Sequence, residues 1–385
     1  MGRILCLSNG HGEDHVGRQL ALHLHRLGHT VMALPLVGAG HPYTQVGIPL
    51  LRTAPELTSG GFNLLSDLRQ GLGQVLWQQW QALRQQRSHL DLIVAVGDVL
   101  VMAMAWASGR PYAFVGTAKS DYYWGDEQGE YSPLPIGIPW RQQRCDYFPW
   151  ERWLMAHPRC RAVYPRDGWT SRRLQEHFGI PALDLGNPMV DDLSDALRLN
   201  LPHPALLLLP GSRPPEAYRN WQMMMTVVDH LPPTMTCMAA LAPTVDPSQL
   251  STSSRPVQLL TGQFAAAVHH ADVVLAMAGT ATEQCVALGK PVVTLPGDGP
   301  QFTRHFAQKQ ARLLGSPIHL TTVSQAPALI NQLYGRWTRD PEWRARLKQV
   351  GVTRLGSPGA AERISTHLSS LLIPAPPLAH PTGSS

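Results

Sequence analysis

Lysine is scarce in this chain. Only Lys119, Lys290, Lys309 and Lys348 contribute to the 32 basic residues, so nearly all the positive charge is arginine. That balance favours bidentate contacts to phosphate or carboxylate over a diffuse polycation. With no recognisable nucleic-acid module either, it argues against nucleic acid as a partner. Cysteine is also sparse: five residues, odd in number and scattered, with no C-x-x-C pair. A disulfide framework and a zinc ribbon are both disfavoured, and a reducing, cytoplasmic compartment is expected. No D-x-D occurs, so a metal-bridged nucleotide sugar of the usual kind lacks its anchor, and no metal or other cofactor is expected. There is no G-K-[ST] for a P-loop and no clean G-x-G-x-x-G. His23, His25 and His29 match no metal motif and read as a solvated helix face. The longest apolar stretch, Leu92–Gly109, is interrupted by Gly97 and Asp98, and reads as strand, turn and helix rather than a membrane span. The first residues enter a strand directly, so no cleaved leader is expected.

What is present is a globular composition with 44% hydrophobic and 15% charged residues over 385 positions. A net charge of +5 points weakly to an acidic or phosphorylated partner. Strand-like runs alternate with helical spacing: 3–8, then a helix over 13–28, then 30–37, 91–97, a helix around 99–108, and 111–116. The rhythm restarts at 205–211, followed by a helix over 219–231 and strands at 234–243, 257–262, 272–279 and 291–297. This βαβ alternation predicts an α/β fold of two doubly wound domains facing a cleft. The expected divisions are a first domain over 1–190, a linker over 191–204 and a second domain over 205–350. A carboxyl-terminal helix over 351–372 is expected to return to the first domain, and a Pro/Ser-rich tail over 373–385 to be disordered.

Ligands of such sheets bind outside the carboxyl ends of the strands, and three loops stand there. In "SNGHGEDHVG", Asn9, Gly10 and Gly12 allow close backbone approach before a helix N-terminus. His11 is either a base or a polar turn residue, and Asp14 either lines the site or favours the helix start. In "LPGSRPPEAYRN", Ser212 and Arg213 can bind phosphate oxygens, or can belong to a turn closed by two prolines. In "AMAGTATEQCVALG", Gly279, Thr280 and Thr282 form a cradle at a helix start, and Glu283 can bridge vicinal ribose hydroxyls. Thr280 and Glu283 also fit a capping box. Asp98 is a charge breaking an apolar run at a strand end, read as general base or as N-cap.

"LPGSR" followed by Glu216, then "AGTATEQCVALGKPVV" and the connector "LGNPMVDDL", resembles the lipid-A-disaccharide synthases, glycosyltransferases of the two-Rossmann-domain GT-B type. The resemblance spans roughly 3 to 370 and looks most like a divergent, related branch. Asp14 and Gly17 match the family's amino-terminal loop, and Asp98 stands where the family has its proposed base. The family's S-P-x-x-W-A-W segment is replaced by "VGTAKSDYYWGDE", which leaves the acceptor in question. The resemblance implies an inverting, metal-independent transfer of a glucosamine derivative or hexose from a UDP-sugar to a lipid-linked acceptor. His11 or Asp98 would be the base. Arg213 and the Gly279–Thr280 loop would hold the diphosphate, Glu283 the ribose, and Gln301 the donor sugar.

The stretch 139–173 mixes arginines with Trp140, Phe148, Trp150, Trp153 and Trp169, which suits peripheral attachment to the inner face of a membrane. The alternatives are a UDP-sugar 2-epimerase, a transferase acting on diacylglycerol or another lipid, and a non-catalytic nucleotide-sugar-binding protein.

Overall fold

The computed structural model describes residues 1–54, 72–131, 145–193, 199–297, 299 and 302–372. Gln301, Trp140 and the tail 373–385 lie outside the described residues.

The first sheet is built from short apolar strands buried on both faces, as parallel strands must be. In chain order the elements are β1 (Arg3–Ser8), α1 (His11–Arg26), β2 (Thr30–Pro35), α2 (Leu72–Gln86) and β3 (Leu92–Gly97). There follow α3 (Val99–Ala107), β4 (Tyr112–Gly116), α4 (Pro149–Met155), β5 (Cys160–Tyr164) and α5 (Gly168–Phe178). All described strand pairs in this sheet are parallel, in the order β2-β1-β3-β4-β5. Leu5, Leu7, Ile93 and Phe114 pack on one face of the sheet, and Ile4, Cys6, Val94 and Val115 on the other.

The second domain repeats the plan with β6 (Ala205–Leu209), α6 (Glu216–Val228), β7 (Thr236–Leu241), β8 (Val257–Thr261), α7 (Phe264–His270) and β9 (Val273–Ala276). It continues through α8 (Thr280–Ala287), β10 (Val292–Thr294), α9 (Arg304–Leu314), β11 (Ile318–Leu320), α10 (Ala326–Arg339) and α11 (Pro341–Leu355). The strand order is β8-β7-β6-β9-β10-β11, again parallel throughout. In each sheet the order reverses beside the domain's first strand, between β1 and β3 and between β6 and β9. Crevices open at such reversals.

The chain then breaks at Gly356 and Gly359, both with positive φ, and α12 (Ala360–Ser370) crosses back to the first domain. The break puts the start of the returning helix at Ala360, with α11 still part of the second domain. Ala361, Ile364 and Leu368 pack against Val16, Leu20 and Leu24 of α1. The Asp191 carboxylate accepts hydrogen bonds from the backbone N–H groups of Gly359, Ala360 and Ala361 at 2.8, 3.1 and 2.7 Å, so it caps α12 from the connector.

The described part of 139–173, from residue 145 on, does not form a single basic aromatic surface. Cys160–Tyr164 is a strand of the sheet, and Trp169 stacks on Tyr122 at 6.1 Å in contact with the core of the second domain. The Arg152 guanidinium is buried over the Phe178 ring at 3.9 Å. Of the named aromatics among the described residues, Trp150 and Trp153 are the ones that face outward, at 51% and 54% exposure.

Candidate functional site

At the first crevice, β1 ends in Ser8 and the chain turns through Asn9 and Gly10 into α1. Gly97 at the end of β3 has φ +136°, and any side chain there would run into Asn9 Oδ1 and Glu13. Glycine therefore lets the α1 N-terminus lie directly on the end of β3. Gly12 faces open space, while a side chain on Gly10 would meet the Glu13 carboxylate. His11 is exposed as the first residue of α1. Asp98 is the N-cap of α3, its Oδ1 accepting from Leu100 N at 2.8 Å. The helix-cap reading of Asp98 therefore holds, and its second carboxylate oxygen makes no hydrogen bond among the described residues.

Asp14 points away from the crevice into the domain. It is buried, and its Oδ1 accepts the Ser8 hydroxyl at 2.6 Å, which in turn accepts the Tyr43 hydroxyl at 2.9 Å. Gly17 leaves room for the Tyr43 hydroxyl. Burial pushes the Asp14 carboxyl up to about 7, against the Ser8 hydrogen bond and with help from Glu13. Asp14 thus organises the loop from beneath and does not line the crevice directly.

At the second crevice the loops after β6 and β9 touch. Gly211, at φ +102°, lets the first loop approach Met277 O closely, since a Cβ there would stand 3.1 Å from that oxygen. The Asn220 amide holds Pro210 O at 2.9 Å. The Gln310 amide braces the second loop through Ala278 O at 3.0 Å and Gly279 O at 3.2 Å. Glu216 is buried, and its Oε1 accepts from Phe302 N at 2.6 Å, which ties the segment after β10 to the start of α6. Gly279 is the N-cap of α8, with no side-chain cap, and Thr280 is exposed. The N–H groups of Thr282 and Glu283 donate to Gly279 O at 3.0 and 3.4 Å, and those of Thr280 and Ala281 make no hydrogen bond among the described residues.

Two readings from the sequence are corrected here. Thr280 and Glu283 form no capping box, because the Glu283 carboxylate is held instead by Arg166 Nη2 at 2.8 Å. The Thr282 hydroxyl turns inward: it is buried and donates to Ala278 O at 2.7 Å, just before the helix. Ser212 is exposed, and its carbonyl accepts the Thr244 hydroxyl.

The two crevices face each other. Arg213 is half-buried, and burial draws its guanidinium below the usual range against the opposing pull of Glu216 and of Glu13 in the other domain. Glu13 Oε1 accepts the Thr117 hydroxyl at 2.9 Å, and Thr117 O accepts from Arg166 Nη1 at 3.1 Å. Arg166 thus links both sides, through Thr117 to Glu13 and across the cleft to Glu283. Burial works against the Arg166 charge, but the Glu283 carboxylate and its neighbours more than offset this and push its pKa up. Glu13, Thr117, Arg166 and Gln310 are absent from the residues expected on sequence grounds. The signal for Arg166 was its place in "VYPRDG", two residues past a strand end.

Two doubly wound domains with facing switch-point crevices define the GT-B fold. Solved structures sharing it include CalG4, the calicheamicin glycosyltransferase, with a TM-score of 0.62 and 16% identity over 96% of this chain and 98% of that one. A putative UDP-N-acetylglucosamine 2-epimerase from Listeria monocytogenes gives 0.60 and 14% over 96% of each chain. S. aureus MnaA, solved with UDP, gives 0.60 and 13% over 97% of each. At these identities the likeness is one of fold. By sequence, the chain is similar in part to lipid-A-disaccharide synthases. It is 36% identical over 138 residues to that of Xanthomonas axonopodis pv. citri (strain 306), covering 30% of each chain. It is 28% identical over 130 residues to that of Solibacter usitatus (strain Ellin6076), covering 30% of this chain and 34% of the relative. The matched stretch therefore spans about a third of these relatives. No protein-family model matches the chain. Among the described residues, no helix is long and apolar enough to cross a membrane.

Proposed function

We propose that the protein is an inverting glycosyltransferase that moves a hexose or glucosamine derivative from a UDP-sugar to a lipid-linked acceptor, without a metal. The observation that carries this reading is the facing pair of crevices. One presents Arg213 and the open N-terminus of α8, and the other presents His11 and Asp98. The partial kinship with lipid-A-disaccharide synthases supports the reaction class, and the MnaA–UDP structure supports a uridine nucleotide.

In this reading the diphosphate lies on the Gly279–Thr280 turn. Helix N–H groups and Arg213 stabilise the charge that develops as UDP departs. A base takes the proton of the acceptor hydroxyl, whose oxygen attacks the anomeric carbon from the face opposite UDP. We assign the base to His11. Asp98 already uses Oδ1 to cap α3, whereas the His11 side chain makes no hydrogen bond among the described residues. A lipid acceptor would arrive from a membrane surface, where the outward Trp150 and Trp153 suit peripheral contact.

Calorimetric titration with UDP in the presence of EDTA tests the donor site. Binding that survives EDTA and weakens tenfold or more in Arg213→Ala supports it, and absence of binding by the native chain refutes it. Turnover of UDP-sugars with lipid extracts then separates the bases: His11→Ala should abolish transfer, and Asp98→Asn should leave a measurable rate. The epimerase-like neighbours make a second reading specific, because a 2-epimerase would consume UDP-sugar with no acceptor present.

A further inference from the structure

Arg166 belongs to the first domain, yet its strongest partner belongs to the second. It lies two residues beyond the end of β5, is 3% exposed, and is fixed on its own side by the 3.1 Å bond from Nη1 to Thr117 O. Its Nη2 reaches across to Glu283 Oε2 at 2.8 Å. The Glu283 side chain keeps 13% exposure, and its other oxygen carries no hydrogen bond among the described residues. The arrangement is asymmetric: one carboxylate oxygen is clamped and the other is left over at the first turn of α8, beside the Gly279–Thr280 cradle.

A glutamate side chain has rotamer freedom that must be lost before it can hold a ligand. The planar guanidinium fork removes that freedom in advance, and it leaves the free oxygen as an acceptor for a hydroxyl. We propose that Arg166 is a positioning residue for the nucleotide: it orients Glu283 from the opposite domain, so that the 2′-hydroxyl of a nucleoside diphosphate is read only when the two domains are together. This rests on the donor-site reading above. It adds that ribose recognition is divided between domains, although the crevice holding the nucleotide belongs to one of them. A role limited to holding the domains together would affect every nucleotide equally. A positioning role would affect the ribose hydroxyl selectively.

The experiment is calorimetric titration of the full chain with UDP and with 2′-deoxyuridine diphosphate, for the native protein, Arg166→Ala and Arg166→Lys. The native protein is expected to prefer UDP by about tenfold, the value of one charge-assisted hydrogen bond after solvent competition. In Arg166→Ala the preference should fall below about twofold, while affinity for the deoxy nucleotide stays within about threefold of native. Arg166→Lys keeps the charge but loses the fork, and should lose most of the preference. It serves as the test if the alanine variant does not fold, as judged by its melting curve. A native protein that binds UDP but not in preference to the deoxy nucleotide overturns the proposal. So does a preference that persists in both variants, or a parallel loss of both nucleotides. Failure of the native protein to bind either nucleotide overturns the donor-site reading itself.

Discussion

Replacing Asp14 by asparagine should change how the stability of the protein depends on pH. The carboxyl is buried, with Oδ1 on the Ser8 hydroxyl and Oδ2 enclosed without a hydrogen-bond partner among the described residues. Glu13 lies one residue away, and the Tyr43 hydroxyl stands behind Ser8. Burial raises its pKa from 3.8 to about 7. Because the folded value lies above the unfolded one, the native state binds the extra proton between these limits. Stability is therefore fully present below about pH 4 and falls as pH rises through about 7. At about 1.4 kcal/mol per pH unit over that interval, the ceiling is about 4 kcal/mol. Between pH 5 and pH 8.5 the native protein should lose about 2–3 kcal/mol that Asp14→Asn does not lose. Urea unfolding followed by tryptophan fluorescence and circular dichroism at both pH values measures the difference. Asp121, also raised to about 7 by burial, will keep a residual slope in both proteins, and Asp121→Asn identifies that part. Parallel midpoints for native and Asp14→Asn across this window would refute the argument, because an ionised Asp14 would then cost the fold nothing.

Two further outcomes follow from the structure. Asp191→Ala removes the acceptor for three N–H groups at the start of α12 and should cost about 1–2 kcal/mol. It should also speed proteolysis near Gly356–Gly359, read by mass spectrometry of timed digests. Trp150→Ser changes an outward side chain, so the melting temperature should hold while sedimentation with anionic vesicles falls several-fold. Unchanged sedimentation would remove α4 as the contact surface.

Strand-end loops were legible in the sequence because buried parallel strands are short apolar runs closed by glycine or proline. "DLIVAVGD" and "ALLLLPG" announce both the strand and the turn that follows it. "CRAVY" did not stand out, since arginine and cysteine open it and aromatics and arginines surround it. Arg166 was therefore not seen as a strand-end residue. The capping-box reading failed for a different reason. A local S/T-x-x-E pattern forms a cap only if the carboxylate is free to turn back, and here a guanidinium 117 positions away in sequence holds it. Thr282 shows the same limit at shorter range. Three residues near one helix start carry hydroxyl or carboxylate groups, and their spacing alone does not say which of them turns inward.

The return of α12 to α1 also sets an order for assembly on the ribosome. The strands of the first domain and the helices between them are complete by Phe178, yet the cluster that holds Val16, Leu20 and Leu24 also takes in Ala361, Ile364 and Leu368 of α12. At about 5–20 residues per second, the intervening chain takes on the order of ten seconds or more to synthesise. Throughout that interval the part of the cluster that α12 completes stays open, and the second domain must emerge before it is filled.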